Sequence, residues 1–119
     1  MKVLKLVKNG NVICDYIEDA SSFFRRFMGL MYRKSIPQNH GLLLTPCNEI
    51  HTFGMCFDID AVYISKNGEV LFIDEAVKPH KVCKKIKNAY KVLELNSGMA
   101  HKFGLNTGDS VDFVHIQSK

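Results

Sequence analysis

No stretch of this chain is apolar for the roughly 18 residues that a membrane-spanning helix needs. No uninterrupted apolar run follows Lys2, Lys5 and Lys8, so the N-terminal stretch does not read as a secretory signal. The four cysteines, Cys14, Cys47, Cys56 and Cys83, form no CxxC pair and no zinc-finger spacing. Without an export signal they are expected as reduced thiols in a cytoplasm. Internal repeats, linkers and low-complexity tracts are lacking as well. Charge of one sign is scarce: 16 Lys+Arg against 12 Asp+Glu leaves +4. That is too little to point to nucleic acid or a membrane surface as partner. The lysines at 81, 84, 85 and 87 lack the interleaved aromatics that stack bases, so they read as a solvated loop.

What is present fits one globular domain over residues 1–119, with 46% hydrophobic and 24% charged residues. A chain of this size buries enough surface to fold without disulfides or metal. Residues 2–7 alternate in the strand manner, and Asn9-Gly10 precedes Val12, Ile13 and Tyr16. An Asn-Gly pair between β-prone runs predicts a hairpin over residues 1–17, because a type I′ turn needs positive φ at both centres. The period then changes. Phe23, Phe24, Phe27, Met28, Leu30 and Met31 make one apolar stripe at helical spacing, which predicts a helix near residues 20–31 capped by Asp19 or Ser21. From Gly41 the pattern is β again. Strands are expected at 41–45, 49–53, 57–65, 70–77, 89–95 and 110–116, with a second hairpin turn at Lys66-Asn67-Gly68. Ser97 caps a short helix near residues 98–103, which Gly104 stops. The expected fold is therefore mainly β (α+β): a compact antiparallel β-barrel or sandwich whose closure or stacking hides strand edges.

Chemistry concentrates between Thr45 and Asp60, where two cysteines, a histidine, a methionine and three acids fall within one short segment. A soft-metal site for copper or zinc would draw on Cys47, His51, Met55 and Cys56. A nucleophilic enzyme would use Cys47 or Cys56 with His51 and an acid, Asp58 or Asp60, to orient the imidazole. Along an extended strand, however, Cys47 and His51 lie about 13 Å apart at Cα, and either site requires the chain to bend. A non-catalytic pocket would combine Arg26 as an anion contact with His51, Thr52, Phe53, Met55 and Asp60. Each residue also has a plain structural use: buried thiols pack, Gly54 marks a bulge, and Asp60 caps a turn. His40, His80, His101 and His115 read as surface residues, and Cys14 and Cys83 as small packing thiols.

Several short motifs occur in one order. They are Arg26-x-x-Gly29-Leu30-Met31-x-Arg33, Gly41-Leu-Leu-Leu-x-Pro-Cys47, Ile50-His-Thr-Phe-Gly-Met55 with Ile59-Asp60, and Val92-Leu-Glu-Leu95 followed by Gly98, Ala100 and Gly104-Leu-x-x-Gly-Asp109. Together they span about residues 20–114. This ordered set resembles the prokaryotic family called domain of unknown function 192. The resemblance implies a compact β-rich domain and no established activity. Its motif positions here are Arg26, Gly29, His51, Thr52, Met55, Asp60, Glu94, Gly98 and Asp109. The chain departs from the pattern at Cys56 and Asp58, where many relatives carry a basic residue and a proline.

The reading favoured by these residues is a binding module for a small molecule or a protein, with no cofactor, no nucleic acid and no membrane. The alternatives are a Cys47–His51 hydrolase and a copper or zinc protein.

Overall fold

The structure, a computed structural model, describes residues 2–22, 29–31 and 33–115. Alternation of apolar and polar residues sets its strands: β1 (Val3–Lys8), β2 (Asn11–Ala20), β3 (His40–Leu44), β4 (Ile59–Ser65), β5 (Val70–Val77), β6 (Ala89–Asn96) and β7 (Val111–His115). One short helix, α1 (Met99–Lys102), follows β6. The strands form a seven-stranded sheet in the order β5-β4-β6-β3-β2-β1-β7. Asn9 and Gly10 both take positive φ, 53° and 77°, as the type I′ hairpin requires. At the second hairpin only Gly68 does, at 92°, so that turn is a longer loop with one left-handed residue.

The ladders are antiparallel except β2–β3, which is parallel with Tyr16 opposite His40 and Ala20 opposite Leu44. A parallel pair needs a long crossover, and residues 21–39 supply it. The sheet is thus mixed, with one parallel pair in a mainly β, mostly antiparallel fold. Ala20 closes β2, and residues 29–31 form a turn. The body of the helix expected near residues 20–31 lies outside the described residues. The strand expected at 49–53 does not form. That segment makes one isolated bridge, His51 to Val82, and scattered backbone hydrogen bonds to the 81–86 loop.

The sheet separates two apolar clusters because neighbouring residues on a strand point to opposite faces. Leu43, Val62, Leu93 and Leu95 join Leu6, Ile17, Val70 and Val111 in one cluster, which draws on every strand and on Met99 and Ala100 of α1. The sheet therefore curls around this core. Leu42, Leu44, Ala61, Tyr63 and Val92 face the other way, against Leu30, Ile36, Ile50, Met55 and Cys83 from the connecting segments. The central strands β3, β4 and β6 are consequently buried on both faces. The sheet edges meet without a continuous ladder. Near Gly68, Val111 N–H donates to Gly68 O and Val70 N–H to Asp109 O, both at 2.8 Å. Gly68 allows this approach, since a Cβ there would stand 2.5 Å from Val111 O.

Candidate functional site

Beyond β3 the chain runs through residues 45–57 as an irregular segment laid over the outer cluster. Thr52 clasps it in place. Its Oγ1 donates to Lys78 O at 2.7 Å and accepts from Lys81 N–H at 2.8 Å, while its backbone N–H donates to Lys81 O. Fully buried and saturated, Thr52 holds the loop.

Asp60 has a comparable task elsewhere. Its Oδ1 accepts from Ala76 N–H at 2.9 Å, and its Oδ2 accepts from Gly98 N–H and Ala100 N–H, both at 3.0 Å. Gly98 precedes α1 in a left-handed conformation and offers no side chain to cap it. The carboxylate of Asp60, reaching over from β4, supplies the missing acceptor. Ser97, expected as the cap, does not serve.

The segment 47–55, the turn 29–31 and the sheet together enclose a cavity of about 100 Å³. Its wall is apolar, with Leu30, Met31, Leu44, Ile50 and Met55, and its polar groups are Cys47, Glu49, His51 and Glu94. Of the residues singled out in the sequence, His51 and Met55 line it and so does Cys47. Thr52 and Asp60 do not, and Phe53 stands 46% exposed against the His51 ring, centroid to centroid 5.4 Å. Arg26 lies outside the described residues. The Cys47 thiol donates to Glu49 O at 3.2 Å, and His51 Nδ1 accepts from Phe53 N–H at 3.3 Å. Neither contact sets up imidazole as a base for the thiol. Among the described residues no three His, Cys, Asp or Glu side chains gather as a metal cluster would.

Glu94 is the cavity residue that the site reading passed over. It sits on β6 between Leu42 of β3 and Ala61 of β4, in a row that continues to Glu18 on β2. The Glu94 side chain is 3% exposed, and its Oε1 has no hydrogen-bond partner. Burial pushes its carboxyl up to about 8, against a smaller opposing pull from Arg33. At neutral pH the group is therefore mostly protonated. Arg33 itself is engaged by Glu18 through two hydrogen bonds, at 2.7 and 3.0 Å. Nearby, Tyr63 OH is likewise buried without a partner, and desolvation raises its phenol well above the usual value. The Cys83 thiol is raised as well, first by burial and then by Asp74 and Glu94. The only sequence signal for Glu94 was its place in the family motif, since alternation along 89–95 sets it on the same side as Tyr90 and Val92 without showing that the side is buried.

Comparison with solved structures shows the same fold elsewhere. A Sinorhizobium meliloti 1021 protein described as a candidate transcription regulator superposes with a TM-score of 0.80 at 24% identity, covering 94% of this chain and 92% of that one. A protein of unknown function from Novosphingobium aromaticivorans DSM 12444 also gives 0.80, at 19% identity, covering 92% of this chain and 83% of that one. No curated protein shows significant sequence similarity. The family model DUF192, described as "Uncharacterized ACR", matches residues 5–113. With that match over most of its length, the chain belongs to the DUF192 family.

Proposed function

We propose that the chain is a binding module for a small ligand, which it takes into the cavity above Glu94. One observation carries this reading: Glu94, whose buried Oε1 has no hydrogen-bond partner, is among the residues lining an apolar-walled space. Leaving such a group unsatisfied costs roughly 1–3 kcal/mol, and a protein keeps that cost where something else meets the group. The volume suits a ligand of a few non-hydrogen atoms or the end of a longer one, since a dry cavity of about 150 Å³ holds benzene. Met31 and Met55 give the wall an adaptable, polarizable surface.

The test is a thermal-shift screen of small metabolites against the wild-type chain and Glu94→Gln. A ligand at a hundred times its dissociation constant adds about 2.7 kcal/mol. In a domain of this size that raises the melting temperature by several degrees. Hits whose shift disappears in Glu94→Gln support the site. A screen in which every hit shifts both proteins equally defeats it.

A further inference from the structure

The lining of the cavity also points to a ligand class, an inference that rests on the cavity being a ligand site. We infer that it takes the ammonium end of a small primary amine, with Glu94 as the counter-charge and Leu30, Met31 and Leu44 packing the alkyl part. Three observations lead there, together with the chemistry of an ammonium. The ionisable groups lining the space are two acids, Glu49 and Glu94, a histidine and a cysteine, with no Lys or Arg among the described lining residues. Among the described residues the guanidinium whose field acts on Glu94, that of Arg33, is held by both oxygens of Glu18 and makes no hydrogen bond to Glu94 Oε1. An ammonium carries donors only, which is what a lone acceptor oxygen can meet. Walls of low polarity strengthen the pairing once Glu94 has ionised. Glu49 is exposed at the rim, so a cation meets a carboxylate before it is desolvated.

No bond is made or broken in this event except to a proton. The amine enters as its ammonium form, Glu94 becomes carboxylate, and one proton passes to solvent. The titratable and charged groups around Glu94 are Glu18 in the same row on β2, Arg33 in the crossover, Tyr63 on β4 and Cys83 in the loop before β6. Across the cavity, Cys47, Glu49 and His51 complete the set.

Isothermal titration of the full chain at pH 8 with n-butylammonium, 1-butanol and butyrate, at matched ionic strength, tests the class. The expected result is binding of butylammonium at least about tenfold tighter than of the other two, with roughly half a proton released per amine bound at this pH when buffers of different ionisation enthalpy are compared. In Glu94→Gln that preference is lost. Should this variant fail to fold, proton release by the wild type and a weakened amine affinity in Glu49→Gln carry the test. Equal binding of butanol and butylammonium, or a preference for butyrate, overturns the cation class and leaves the cavity as a neutral or anion site. If none of the three probes binds while the metabolite screen gives Glu94-dependent hits, the class alone is wrong. If neither approach gives a hit, both readings are wrong.

Discussion

Arg33 places both arms of its guanidinium on Glu18, Nη1 to Oε2 at 2.7 Å and Nη2 to Oε1 at 3.0 Å, and offers the neighbouring Glu94 only its field. Two acids in one transverse row thus end in opposite states. Glu18 is a paired carboxylate, and Glu94 is a carboxylic acid near neutrality.

Stability should fall as pH rises, because of Glu94. Below its ordinary value of 4.5 both folded and unfolded chains hold the proton, and folding carries no penalty for burying a charge there. Between there and about 8 the unfolded chain gives the proton up while the folded one retains it. The unfolded state then binds fewer protons, so this group lowers stability by up to about 1.4 kcal/mol per pH unit. Glu94→Gln removes the dependence. Urea melts at pH 5.5 and 8 should show the wild type losing a few kcal/mol more than the variant over that span. Parallel curves for the two proteins refute it.

Asp60→Ala should destabilise the fold by about 3–5 kcal/mol, since it leaves three backbone N–H groups without their acceptor in a buried place. Hydrogen exchange should show the loss first at Gly98 and Ala100. A cost below about 1 kcal/mol means that the carboxylate is not the cap of α1.

Thr52→Val keeps the shape and removes the hydroxyl. It deletes a bond to Lys78 O and orphans Lys81 N–H, for an expected loss of about 1–3 kcal/mol in denaturant melts. Amine binding at Glu94 should survive, because Thr52 does not line the cavity. Faster exchange confined to the 78–83 loop is the accompanying sign.

Gly68→Ala meets two obstacles at once: φ of +92°, and a Cβ placed 2.5 Å from Val111 O. The expected cost is about 2 kcal/mol or more, with exchange protection lost at Val70 and Val111, where the sheet edges join. A neutral substitution shows that the hairpin can move away without penalty.

Much of the sheet could be read from the chain because strand alternation and turn chemistry are local. Asn9-Gly10 announced its hairpin, and the runs at 41–45, 70–77 and 89–95 became strands within a residue or two at their ends. The 49–53 segment also alternates, yet its partner is an irregular loop, and a strand needs a partner with matching geometry. The parallel β2–β3 pairing depends on where a crossover returns, which no local pattern states. The site divides the same way. Cys47, His51 and Met55 line one cavity, whereas Thr52 and Asp60 are committed to backbone groups distant in sequence. Glu94 looked like one polar position in an alternating strand. Only its cross-strand neighbours, Leu42 and Ala61, reveal that its side chain is sealed from water.

The placement of β7 beside β1 has a consequence for biosynthesis. Of the described strands, the earliest in chain order is bordered on one side by the latest, with Leu4 opposite His115. Until β7 has been made, that edge of β1 keeps a bare row of backbone donors and acceptors, open to mispairing with a neighbouring nascent chain.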